Sequence, residues 1–121
     1  MIQLRSRLIP ADNSGARSLM AIGLPTKIGK FASLGDVVSC VVDGAIPQSA
    51  VSDSEKVKVV IVRTKKEKRR KDGSYVRFDD NAGVVIDKQG LPRGTRILGP
   101  IAREVKEAGF TKIASLAREV V

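Results

Sequence analysis

Between Arg63 and Phe78 the chain reads RTKKEKRRKDGSYVRF, with eight Lys or Arg against two acids, Glu67 and Asp72. Side chains of this type, crowded this closely, do one kind of chemistry well. They are cations at neutral pH, and they bind phosphate by displacing its counterions. Like charges packed on one ribbon repel, and a polyanion relieves that repulsion. The plainer alternative is a solvated hairpin with no partner, which is what most charge runs are. The length of the run and its nearly uniform sign weigh against it. A second basic group, Arg5, Arg7, Arg17, Lys27 and Lys30, stands apart in sequence. Two such groups on one compact body suit a grip on two RNA segments. Taken singly, each of these residues is an ordinary solvated charge.

Other chemistry finds no residues to carry it. The chain has no histidine, so the commonest general base and metal ligand are missing. Its one cysteine, Cys40, makes neither a disulfide nor a thiolate zinc site. It sits inside the apolar run Val37 to Val42 and reads as a small buried thiol. No phosphate-cradling P-loop and no G-x-G-x-x-G spacing occurs. Asp79 and Asp80 are neighbours, and neighbours on a strand point to opposite faces, a poor arrangement for an acid/base pair. No catalytic residue, metal or cofactor is expected. Aromatics are few, Phe31, Tyr75, Phe78 and Phe110, so rows of stacked bases are less expected than phosphate contact to folded RNA.

These residues need a frame. The 121 residues carry a net charge of +9 and a sequence pI of about 10.1, and read as one domain, residues 1–121. No apolar stretch reaches membrane-spanning length and no signal peptide opens the chain, which predicts a soluble protein of a reducing compartment with no membrane partner. Ile2 to Ile9 reads as a strand ended by Pro10, with Arg5 and Arg7 sharing a face away from Leu4 and Leu8. Asp12-Asn13-Ser14-Gly15 is turn chemistry. Ala16 to Leu24 follows, with Met20, Ile22 and Leu24 on one side and Arg17 and Leu19 on the other. Val37–Val42 suits a strand buried on both sides, and Val57–Val62 is the next. Asp72-Gly73 predicts a two-residue hairpin turn. Pairing outward from it sets Lys65 opposite Asp80 and Lys66 opposite Asp79. That leaves Lys68, Arg69, Arg70, Lys71 and Arg77 unpaired. Ala82 to Ile86 is the last strand. Pro100 then opens a helix with Ile101, Val105 and Ala108 on one face and Gly109 as its cap. Lys112 to Val121 is a second helical segment, with Ile113, Leu116 and Ala117 inward. Short strands, frequent turns and a helical tail over about 100–121 predict a mainly β protein, a small closed barrel.

Several short motifs now gain weight from their order. They are Met1-Ile2-Gln3, Ala11-Asp12-Asn13-Ser14-Gly15-Ala16-Arg17, Gly35-Asp36, Ala45-Ile46-Pro47 and Val60-Ile61-Val62-Arg63-Thr64-Lys65-Lys66. Asp72-Gly73, Arg77-Phe78-Asp79, Asn81-Ala82, Gly94-Thr95-Arg96, Gly99-Pro100, Lys112-Ile113 and Ser115-Leu116-Ala117 continue the set. In this order the chain resembles, over nearly its whole length, the universal large-subunit ribosomal protein conventionally numbered fourteen, in its bacterial or organellar type. The resemblance implies a five-stranded β-barrel with a protruding β-ribbon and two short C-terminal helices. It implies binding to large-subunit rRNA, bridging to small-subunit rRNA at the subunit interface, and contact with neighbouring ribosomal proteins. Arg63, Lys65 and Lys66, of the same basic run, are counted with the two basic groups as candidate RNA-binding residues. Thr95, Arg96, Lys112 and Ser115 match the family's docking surface for a ribosomal silencing factor. The chain departs from the family pattern at Ala21-Ile22-Gly23-Leu24-Pro25-Thr26 and at Arg118, where a proline is usual. The segment Asp80-Asn81-Ala82 with Val84-Val85-Ile86-Asp87 resembles plastid members, so the expected place is a ribosome of bacterial cytoplasm, plastid or mitochondrion. The rival reading is a free-standing nucleic-acid-binding barrel module.

Overall fold

The computed structural model describes residues 2–24, 29 and 31–121. Lys27 and Lys30, of the second basic group, lie outside the described residues, as do Pro25 and Thr26 of the atypical segment. In chain order the strands are β1 Arg7–Pro10, β2 Leu19–Gly23, β3 Val37–Val42, β4 Lys56–Arg63, β5 Lys68–Arg69, β6 Tyr75–Val76 and β7 Ala82–Ile86. Two helices follow, α1 Arg103–Glu107 and α2 Thr111–Leu116. Strands β1, β2, β3, β4 and β7 close into a barrel in that order, and β5 and β6 form a separate two-stranded ribbon between β4 and β7. Neighbours run antiparallel except at the β1–β7 seam, which is parallel. Closure removes the exposed edges that an open sheet of this size would carry.

Two apolar layers explain the strand compositions. Leu8, Leu19, Ala21, Val38, Cys40, Val59, Ile61 and Val85 fill the barrel interior. Val60, Val62, Val84 and Ile86 face outward, yet they are buried under Ile97, Ile101, Val105 and Ile113. Val59–Val62 of β4 and the whole of β7 are therefore apolar and buried on both faces, whereas Lys56 and Lys58 at the start of β4 lie outside this cover and are exposed. Each such Val or Ile contributes roughly 2 kcal/mol by leaving water. Strand β3 corrects the expectation of two-sided burial. Only Val38, Cys40 and Val42 are fully buried, and Val37, Ser39 and Val41 are partly exposed. In β2 the inward residues are Leu19 and Ala21, while Ile22 is exposed.

The N-terminal strand is also shorter than expected. Arg5 has φ 69° in a turn closed by Ser6 N–H donating to the Gln3 carbonyl at 3.0 Å. The alternation breaks there, and Leu4 is 58% exposed while Leu8 is buried. Arg5 and Arg7 do not share one continuous strand face.

In the tail, Pro100 is not the first helical residue. Ile101 forms a parallel bridge with Val120, and α1 begins at Arg103 with Ala102 as its N-cap. Gly109 ends α1 as the sequence predicts. At φ 101° its N–H donates to the Lys106 carbonyl at 3.1 Å, and the Phe110 N–H donates to the Val105 carbonyl at 3.3 Å. That pair of bonds is the Schellman arrangement, which needs a residue tolerant of positive φ. The second helix stops at Leu116, and the last residues run back extended beside Ile101 instead of continuing as helix.

Candidate nucleic-acid interface

The basic ribbon is built on a different turn from the one its sequence suggests. Arg69 faces Tyr75 and Lys68 faces Val76. The Arg70 N–H donates to the Ser74 carbonyl at 2.8 Å, and the Gly73 N–H donates to the Arg70 carbonyl at 3.0 Å. Lys71, Asp72 and Gly73 thus form a three-residue loop with Gly73 at φ 88°, a turn followed by a glycine bulge. Asp72 explains the choice. Its Oδ1 accepts from the Ser74 N–H at 3.0 Å and from the Ser74 hydroxyl at 2.6 Å, locking the bulge. Those bonds, led by the hydroxyl, hold the Asp72 carboxyl below its ordinary range.

The register is shifted by one residue, and the expected pairs Lys65–Asp80 and Lys66–Asp79 do not form. Lys65 instead uses its backbone N–H, donated to Asn81 Oδ1 at 2.9 Å, and Lys66 Nζ lies 3.0 Å from Glu67 Oε1. Asp80 belongs to Arg63, whose Nε lies 2.9 Å from Asp80 Oδ1, a close contact off the axis of a straight hydrogen bond. Arg63 Nη1 donates to the Leu98 carbonyl at 2.9 Å and to the Pro100 carbonyl at 3.3 Å. Its side chain is 11% exposed. The guanidinium ties β4 to the turn that leads into α1, so its charge is committed within the fold.

Arg70 is likewise spent internally. Its Nη2 lies 2.9 Å from Glu104 Oε1 on α1 and 2.6 Å from the Val121 carbonyl oxygen. The two side chains are 17% and 13% exposed, so the pair is largely dry. It fastens the ribbon to the helical tail. Between the two lies a cleft of about 590 Å³, lined by Lys68, Arg69, Lys71 and Arg103 together with Glu104 and Glu107. Arg103 is a further cation of this region, and only its folded position beside the ribbon singles it out. Arg69, Lys71 and Arg77 are exposed, Lys68 is partly so, and none of the four takes part in an ion pair among the described residues.

The second group is looser. Arg7 pairs with Asp43, both side chains more than half exposed, a contact worth no more than about 1 kcal/mol that a phosphate could replace. The Arg17 N–H donates to the neighbouring Gly44 carbonyl at 2.8 Å, which brings Arg7 and Arg17 to the same short segment. Arg5 sits on its own turn one step beyond β1.

Thr95 and Arg96 are exposed on a loop that Asn13 holds. Asn13 Oδ1 accepts from the Thr95 N–H at 2.7 Å and the Arg96 N–H at 2.9 Å, and Asn13 Nδ2 donates to Thr95 Oγ1 at 2.8 Å. The sequence marks Asn13 as a turn former, and its Asx chemistry was the one available sign of this role. Asp12 beside it is buried and accepts from the Val85 N–H at 3.1 Å and the Ser14 hydroxyl at 2.8 Å. Burial raises its pKa, and those hydrogen bonds partly oppose the rise. Lys112 and Ser115 are exposed on α2, and the Ser115 hydroxyl donates to the Lys112 carbonyl at 2.8 Å. Ile97 and Ile113 meet in the same outer layer, so both parts of this surface stand over one core.

Catalytic groups do not gather in any of these places. Burial pushes the Cys40 thiol up to about 12, too high for a nucleophile at neutral pH. Among the described residues no cluster of three or more His, Cys, Asp or Glu could hold a metal ion.

A closed five-stranded barrel with a braced basic ribbon and a capping pair of helices defines a class of small β-barrel proteins. Residues 1–121 match the family described as Ribosomal protein L14p/L23e, and the chain belongs to that family. The "Large ribosomal subunit protein uL14" of Aquifex aeolicus (strain VF5) is 55% identical over 121 residues, covering 100% of both chains. The protein of the same name from Aquifex pyrophilus is 54% identical over 121 residues, again covering 100% of both. That of Petrotoga mobilis (strain DSM 10674 / SJ95) is 55% identical over 124 residues and 99% of each chain. Membership makes the protein a structural, non-enzymatic constituent of the large ribosomal subunit and, with bacterial relatives this close, a cytoplasmic one.

Proposed function

We propose that the protein binds large-subunit rRNA and helps join the two subunits through contact with small-subunit rRNA, with the ribbon cations Lys68, Arg69, Lys71 and Arg77 as the principal phosphate ligands. The observation that carries this reading is the division of labour within the ribbon. Arg70 is consumed in bracing it, and its exposed neighbours Arg69 and Lys71 stand outside every ion pair among the described residues, on a ribbon tied to α1. Bracing lowers the ordering cost of binding. Arg5, Arg7 and Arg17 form a second, weaker contact on the barrel wall, where phosphate displaces Asp43 from Arg7. Neighbouring ribosomal proteins pack against the remaining surface.

Cofractionation tests the reading. A tagged copy is expected to sediment with large subunits and to stay with them through a high-salt wash. A free-standing nucleic-acid-binding module would wash off, and recovery in the light fractions would favour that alternative.

Thr95, Arg96, Lys112 and Ser115 are proposed as a docking surface for a ribosomal silencing factor, a polar and partly basic patch suited to an acidic partner that binds reversibly. Large subunits carrying Arg96→Glu or Lys112→Glu are expected to bind a cognate factor at least about tenfold more weakly, the loss of one charge-assisted contact. Wild-type affinity in both variants would leave the patch as bridge rim.

A further inference from the structure

Tyr75 is 65% exposed at the end of the ribbon, while its neighbour Val76 is 6% exposed. An aromatic ring held in water beside a cluster of cations is an unpartnered binding surface. We propose that Tyr75 and Arg69 together form a stacking site for a single unpaired RNA base. The inference rests on the rRNA-binding reading above and adds to it a contact with a base where that reading has contacts with phosphates.

The geometry singles out this pair. Arg69 and Tyr75 are directly opposite in the register. The next pair toward the tip, Arg70 and Ser74, is joined by a backbone hydrogen bond. Antiparallel pairs alternate, so Arg69 and Tyr75 occupy a non-hydrogen-bonded position, where facing side chains stand closest. Arg77 lies two residues past Tyr75, just beyond the end of β6, and adds further exposed positive charge next to the pair. Glu67, just before β5, is the acid nearest in sequence, and its carboxylate is engaged by Lys66 at 3.0 Å and stabilised at longer range by Arg77. The site therefore offers one π-surface, a guanidinium beside it, and further positive charge for the flanking phosphates. Every base has a π-face, and both Tyr and Arg stack on it. The site is braced in two places, by the Asp72–Ser74 bonds in the loop and by Arg70 on Glu104. A lone aromatic stacks one base and not a run, so the matching ligand is a bulged or flipped-out nucleotide in a duplex, with its phosphates on the ribbon cations.

The chain supplies its own probe, since Tyr75 is its only tyrosine and it has no tryptophan. Tyrosine emission of the full-length protein is followed during titration with three ligands: an RNA hairpin with one bulged adenosine, the same hairpin without the bulge, and inorganic polyphosphate. Binding is measured in parallel by calorimetry. The bulged RNA is expected to quench the emission strongly, and the perfect duplex and polyphosphate are expected to bind with little quenching. Tyr75→Ala is expected to weaken the bulged hairpin about tenfold and the perfect duplex less than about twofold, with Tyr75→Phe restoring the difference. Tight binding of the bulged RNA without quenching, or equal losses on both hairpins, overturns the stacking site and leaves phosphate binding intact. Failure to bind either RNA overturns the stacking site and the reading beneath it.

Discussion

Replacing Lys68, Arg69, Lys71 and Arg77 with Ala, while keeping Arg70, is expected to weaken RNA binding on the order of a hundredfold at moderate salt and to flatten its salt dependence. Each phosphate neutralised on a duplex contributes about 0.9 to the slope of log affinity against log salt, so losing four contacts lowers the slope by about 3 to 4. The choice of residues matters. Arg70 belongs to the same sequence run, but its guanidinium is already committed to Glu104 and the Val121 carbonyl. Arg70→Met is therefore expected to act differently. It loosens the ribbon from α1 and strands Glu104, which costs stability, and it changes the salt slope much less than one of its exposed neighbours does. Titrations at several salt concentrations, paired with denaturation curves, separate the two effects. An unchanged slope in the fourfold variant would mean that the ribbon is not the phosphate ligand.

The largest loss of stability is expected from Arg63→Met. The side chain fills a buried position with an isologous apolar length, so packing is roughly kept while the charge and donors are removed. Asp80 then loses its cation, and the Leu98 and Pro100 carbonyls lose their shared donor. Removing one member of a buried ion pair costs about 3–5 kcal/mol. Asp80 is 33% exposed and recovers some hydration, so the lower end, about 3 kcal/mol, applies. For a chain of this length that is a fall in Tm of about 10 °C. Adding Asp80→Asn to Arg63→Met is expected to return part of the loss, because no unpaired charge then remains. Equilibrium urea unfolding measures both. A single variant within about 0.5 kcal/mol of wild type would show that the guanidinium does not hold the β4 to α1 connection.

Sequence alone was sufficient wherever the cause is local or compositional. The β-branched runs of β3, β4 and β7, the absence of catalytic residue types, and the glycine cap at Gly109 follow from side-chain shape, inventory and the steric demands of one dihedral angle. The ordered motifs carried the family and with it the five-stranded barrel. Tertiary structure decided what depends on residues far apart in the chain. Alternation says which residues share a face but not which face is covered, so β3 came out buried on one side and Val59–Val62 of β4 on two, because Ile97, Ile101, Val105 and Ile113 cover the outer side of β4 and β7 and leave most of β3 open. Asp72-Gly73 fits either of two turns, and the Asp72 bonds to Ser74 select the longer one and move the register by one residue. Above all, a run of cations has no internal sign of which charges are free. Arg63 and Arg70 meet their partners across 35 and 34 residues of chain, and only closure of the barrel against α1 brings those groups together. That closure turns two of the eight cations into braces and leaves the remainder to face the solvent.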